Sequence, residues 1–221
     1  MAGITTAMLA SFKRDLLNGA HCFAQSRAFT CTSTATTTVV GIAPAPATAT
    51  PIYQGEQVSG TNVTAGTVIA RILGAASVEL SKAPAAAITA FTVVGDTFKM
   101  ALFKVGIAGT YSAASTGYSD MTGNTDETSG TGYVAGGTAL TNVDPAASSP
   151  SAFTTFSPNP SWTSASFSTI GCMIYNSTQN GPNVNPGVSV HDFAGTQTVS
   201  SGTFTAIMPV AAVGTAILQI T

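Results

Sequence analysis

Acid–base chemistry near neutral pH falls first to histidine, and this chain has two, His21 and His191. His191 stands beside Asp192 in a stretch that reads as a strand. Successive strand side chains point to opposite faces, so the pair makes no dyad. His21 belongs to another element. Serine is so frequent that no single one stands out as a nucleophile, and no Gly-x-Ser-x-Gly turn occurs. Asp120, Asp126 and Glu127, with Asn124, carry oxygens of the kind Ca²⁺ takes, but their spacing is not that of the twelve-residue Ca²⁺ loop. A solvated turn is the plainer expectation.

Cys22, Cys31 and Cys172 form an odd set with no CxxC spacing, and scattered Cys and His make no zinc motif. Buried free thiols are expected. The run Gly132-Tyr133-Val134-Ala135-Gly136-Gly137 is followed by no Lys-Ser or Lys-Thr, so it is not a phosphate cradle. Phe153, Phe156, Trp162 and Phe167 gather around Pro158 and Pro160. They read as core packing or, alternatively, as a platform facing a carbohydrate or a partner. No catalytic, cofactor-binding or metal-ligating residue is assigned, and no cofactor is expected.

Composition points the same way. Only 7% of the 221 residues are charged, against about a quarter in an ordinary soluble domain. The 44% hydrophobic content is broken every few residues by Thr, Ser, Gly or Pro. No apolar run approaches the roughly 20 residues of a spanning helix, so no membrane partner is expected. Net charge is −2, Lys104 is the last basic residue, and only Asp120, Asp126, Glu127, Asp144 and Asp192 follow it. Such a surface suits neither nucleic acid nor proton-transfer catalysis. It suits packing against neighbours, since little charge repulsion keeps copies apart. No basic n-region precedes the first apolar residues, so synthesis in a reducing cytoplasm is expected and the sequons at Asn62 and Asn176 carry no meaning.

The elements that would hold these residues are mostly strands. Ala7, Met8, Phe12 and Leu16 recur at helical spacing, predicting one helix from Thr5 to about Phe23, capped by Thr5 or Thr6 and stopped at Asn18-Gly19. From Thr30 to about Val94 the texture is Thr-rich, then Pro-rich (Pro44, Pro46, Pro51), then alternating over 57–60, 67–73 and 77–81, which reads as hairpins. Phe98 to Phe103 is a half-buried strand, and 106–137 is a long Gly/Ser/Thr loop. Strands follow at 153–156, 166–175, 188–193, 203–208 and 216–220, with turns at Pro158-Asn159-Pro160, Asn180-Gly181-Pro182 and Ala194-Gly195. The expected fold is mainly β: a β-sandwich (96–221) with one N-terminal helix (1–29, part of the main domain) and an inserted small β-hairpin module or arm (30–95).

Four stretches together resemble small structural virion proteins of tailed bacteriophages, of decoration or tail type: Ile4–Gly19, Asp96–Phe103, Gly130-Thr131-Gly132-Tyr133-Val134-Ala135-Gly136-Gly137, and Thr198–Phe204. In that family the helix runs almost directly into the Phe98-type strand, so 30–95 looks inserted. Its Val58–Ile69 segment is itself similar to a hairpin unit of many phage surface proteins. The resemblance implies a non-enzymatic homo-oligomer in the virion, assembled in the host cytoplasm. Its expected role is a capsid cement or decoration protein bound to the major capsid protein and to copies of itself. A tail, neck or fibre-attachment component is the alternative, and a carbohydrate-binding host-attachment module the next.

Overall fold

Thr, Val, Ile and Phe between glycine turns favour extended backbone. The computed structural model, which describes residues 2–43, 52–178 and 184–221, is accordingly mainly β, with 49% strand and 7% helix. The chain divides into two compact units: Ala24–Gly95, and Met1–Phe23 together with Asp96–Thr221.

The first is a closed six-stranded barrel. Around it run Arg27–Ser33, Thr38–Ala43, Ser77–Leu80, Thr67–Gly74, Gln57–Ser59 and Ile88–Val94, each antiparallel to the next and the last to the first. Alternation decides what fills it. Phe29, Cys31 and Ser33 point in while Ala28, Thr30 and Thr32 stay exposed. Val39, Ile69, Leu80, Phe91 and Val93 complete much of the core. Arg27 and Glu56 meet as a buried ion pair at 2.5 Å, and the Tyr53 N–H donates to Glu56 Oε2 at 2.8 Å. The expected hairpins are present, Gln57–Ser59 with Thr67–Gly74 and Thr67–Gly74 with Ser77–Leu80, and the Thr-rich stretch adds two strands that help close the wall. Closure leaves no sheet edge. Pro44, Pro46 and Pro51, and the expected turn at Asn180-Gly181-Pro182, lie outside the described residues.

The second unit centres on a five-stranded antiparallel sheet in the order Thr138–Leu140, Phe98–Phe103, Ser161–Asn176, Gly187–Thr205, Ala7–Met8. A three-stranded sheet (Ala146–Ser148, Ser151–Thr154, Leu218–Ile220) and a parallel pair, Gly3–Ile4 with Thr110–Tyr111, accompany it. Phe98, Leu102, Phe103, Trp162, Met173 and Ile174 lie in one apolar cluster with Leu9, Phe12 and Met121.

Three local expectations are corrected. The N-terminal helix is only α1, Ala10–Leu17, because Ala7 and Met8 pair with Val190 and Ser189 instead. Thr6 is no cap; its hydroxyl accepts the Asp192 N–H. The helix does stop at Asn18, followed by Gly19 at φ +71°. A second helix, α2 (Tyr118–Gly123), forms inside the expected long loop. Finally, Ala194-Gly195 is no turn between strands. Ala194 sits at φ +54°, and the strand Gly187–Thr205 continues through an irregularity in register.

The chain leaves this second unit at Phe23 and returns at Asp96, and the two crossings are tied together. The Asp96 N–H donates to the Cys22 carbonyl (2.9 Å), and the Cys22 N–H donates to Asp96 Oδ2 (2.8 Å). Since each unit has its own core, replacing 24–95 by a two-residue turn is expected to leave the remainder folded. The excised 24–95 segment is expected to fold alone. Near-UV circular dichroism and cooperative melts of both pieces check this; a non-cooperative melt in either would show that the cores are interdependent.

Candidate functional site

Among the described residues of the second unit, three groupings of buried or half-buried polar side chains could carry chemistry. The first is the tie at Asp96. Asn176 Nδ2 donates to Asp96 Oδ2 at 2.7 Å and to His21 Nδ1 at 3.0 Å, while Asn176 Oδ1 accepts the Thr178 N–H. Asn142 Nδ2 donates to the Asp96 carbonyl at 2.9 Å. With Nδ1 accepting, the His21 proton sits on Nε2, which is buried without a hydrogen-bond partner. The ring packs against Phe12 at 4.9 Å and beside Phe23 and Phe98. Burial drives its pKa down from 6.5 to about 4, against the opposing pull of Asp15. This histidine is a neutral core member.

The second site holds the loop acids. Asp126 is fully buried and accepts the Ala108 and Gly109 N–H groups and the Tyr111 hydroxyl, with Lys104 Nζ 3.5 Å away. Burial opposes its charge, but these donors together hold its carboxyl below the usual range. Glu127 accepts the hydroxyls of Tyr118 and Tyr133 and the Gly136 N–H. Asp120 accepts the Thr116 N–H at 2.6 Å and its hydroxyl at 3.1 Å, at the start of α2. The three carboxylates therefore fasten the 106–137 segment by separate bonds and do not converge on one point. The solvated turn expected for them is corrected: the acids are the loop's internal anchors. Gly137, at φ +70°, lies so close to the Met100 backbone that a Cβ there would collide with it. The glycine-rich run is a backbone-packing device.

The third site lies on the central sheet. His191 and Cys172 face each other across neighbouring strands. With Met100, Phe193, Phe204 and Met208 they line an open, largely apolar cavity of about 370 Å³. His191 Nε2 bonds the Ser189 hydroxyl at 2.9 Å. Burial lowers the His191 pKa to about 4 and raises the Cys172 thiol to about 12. Neutral imidazole beside protonated thiol is no activated nucleophile. Asp192 instead turns its carboxylate to the Ala194 N–H.

Trp162 is 5% exposed, edge-on to Phe167 and near Tyr133 and Phe204. Its ring therefore has no open face for a sugar. The surface that sequence reading passed over is the C-terminal one, where Ile207, Val210, Val213 and Ile220 are exposed. A signal existed: no charged residue follows Asp192. No protein-family model, curated protein or solved structure matches the chain.

These sites have consequences for stability that can be measured. The unfolded chain binds protons at its histidines near pH 6.5, whereas the folded chain does so near pH 4. Stability is therefore full above pH 6.5 and falls as pH drops toward 4, by up to about 3 kcal/mol for His21. Asp126, with its lowered pKa, adds a further loss at still lower pH. His21→Gln keeps an acceptor for Asn176 and is expected to flatten the pH 4–6.5 limb in urea titrations; an unchanged limb would remove His21 from the account. Asp126→Ala strands three donors and is expected to cost about 3 kcal/mol or more by the same assay. Ca²⁺ or EDTA is expected to leave the wild-type Tm unchanged.

Proposed function

We propose that the chain is a non-enzymatic structural protein of a tailed-phage virion, a cement or decoration protein that binds the outside of the head and stabilises it. Its body is read as a β-sandwich carrying the 24–95 barrel. Its partners are the major capsid protein and copies of itself, with no nucleic acid, membrane or cofactor required, and it assembles in the host cytoplasm. The observation that carries the reading is the uncharged stretch from Phe193 to Thr221, which leaves Ile207, Val210, Val213 and Ile220 exposed. Ile207 lies at the rim of the open apolar cavity, and an exposed apolar side chain beside such a cavity supports a protein contact. The histidines and loop carboxylates are engaged in separate internal bonds and do not converge on one another. The phage assignment itself rests on the sequence resemblance.

Quantitative mass spectrometry of purified virions tests the reading. A ratio of about one, or about one-third, per capsid subunit is expected for a protein that repeats with the shell. A handful of copies per particle would replace the head assignment with a tail, neck or fibre-attachment role.

A further inference from the structure

Ile207 stands at the rim of the cavity described above, 75% exposed, and Val210 three residues on is 69% exposed. The walls beside them are formed by Met100, Cys172, Phe193, Phe204, Met208 and Ile217. An exposed apolar knob next to an open apolar hole, on one surface, is the arrangement a two-fold contact uses. In an isologous interface both copies present the same patch, so a residue beside a pocket enters the partner's pocket and is answered in kind. We propose that this surface is a two-fold contact between copies of this chain, with Ile207 of each copy seated in the cavity of the other. The proposal deepens the self-association in the proposed function and rests on that part of it alone.

Three observations favour a second copy as the occupant. A two-fold axis brings identical residues together, and like charges there would repel. No Asp, Glu, Lys or Arg lines this cavity, and Asp192 is the last charged residue in the sequence before the stretch that carries Ile207. The cavity, at about 370 Å³, falls within the range of sites that enclose whole apolar groups, and its two methionines adapt to an aliphatic guest. Among the described strands, Gly187–Thr205 is paired on its outer side only at Ser189 and Val190; the Asp192 N–H is taken by the Thr6 hydroxyl, and no described strand pairs with the rim after it. Positive φ at Ala194 and Ser201 interrupts that open edge. The contact is therefore led by side chains, with no continuous sheet across the axis.

Sedimentation equilibrium of the full chain over a range of micromolar concentrations tests this. A monomer–dimer equilibrium is expected. Ile207→Asp alters an exposed side chain, so its melt is expected to match wild type while the dimer Kd rises roughly tenfold or more. Ala206→Leu fills the cavity from its wall and is expected to weaken the dimer with Ile207 intact; if it misfolds, Ile207→Asp still decides. Val134→Asp, at another exposed apolar position, is expected to leave the dimer unchanged. A wild-type monomer at every concentration, a trimer or larger ring, or an unaltered dimer in Ile207→Asp would overturn the contact. A monomer whose cavity is filled only by capsid protein falls in the first of these. Because no capsid is present, none of these results bears on the copy-number test of the virion role.

Discussion

A buried carboxylate governs the point where this chain is spliced. Asp96 receives the Cys22 N–H and the Asn176 amide on one oxygen, while its own N–H and carbonyl are bonded to Cys22 and Asn142. A carboxylate taken out of water is tolerated only when donors replace the lost hydration. Here those donors come from segments far apart in sequence, the end of the N-terminal stretch and the long strand Ser161–Asn176, while Asn142 holds the Asp96 main-chain carbonyl. Satisfying one charge thereby fixes the two chain crossings between which the barrel is formed.

The same economy runs through the molecule. With so few ionised groups, the protein places most of its loop acids inside as hydrogen-bond hubs. Asp126 gathers two backbone N–H groups and a tyrosine, Glu127 gathers two tyrosines and a glycine N–H, and Glu56 pairs with Arg27 in the barrel. Burying Tyr175 raises its pKa to about 12, so its hydroxyl stays protonated and donates to the Gly136 carbonyl. The stretch after Asp192 presents side chains that are polar without charge, or apolar. A surface so composed has weak long-range steering. It gains affinity from shape and apolar burial once in contact, which suits a protein that packs beside many copies of its neighbours.

Some of this was legible in the residues. Strands at 57–59, 67–74, 77–80 and 98–103 follow from period-two alternation between glycines, and the stop at Asn18-Gly19 follows from the αL preference of glycine. The helical spacing of Ala7 and Met8 was equally real, yet strand pairing with Val190 and Ser189 outweighed it. Ala194-Gly195 carried a turn signal because an irregular strand and a turn can both use positive φ; only the partner strand distinguishes them. The acids of the 106–137 loop read as solvated because their donors lie up to 18 residues away, on segments that no local pattern connects.

The sequence by itself determined a mainly β chain, poor in charge, with uncharged sequence after Asp192, because composition and alternation are local properties. Tertiary structure alone decided that six strands close into a barrel, that Trp162 is core, and that His21 is neutral inside an aromatic cage. It also decided that Ile207 stands beside an open cavity. Each of these depends on which distant segments meet, and on whether water or a protein donor faces a polar atom. That is settled by packing, not by the order of residues along the chain.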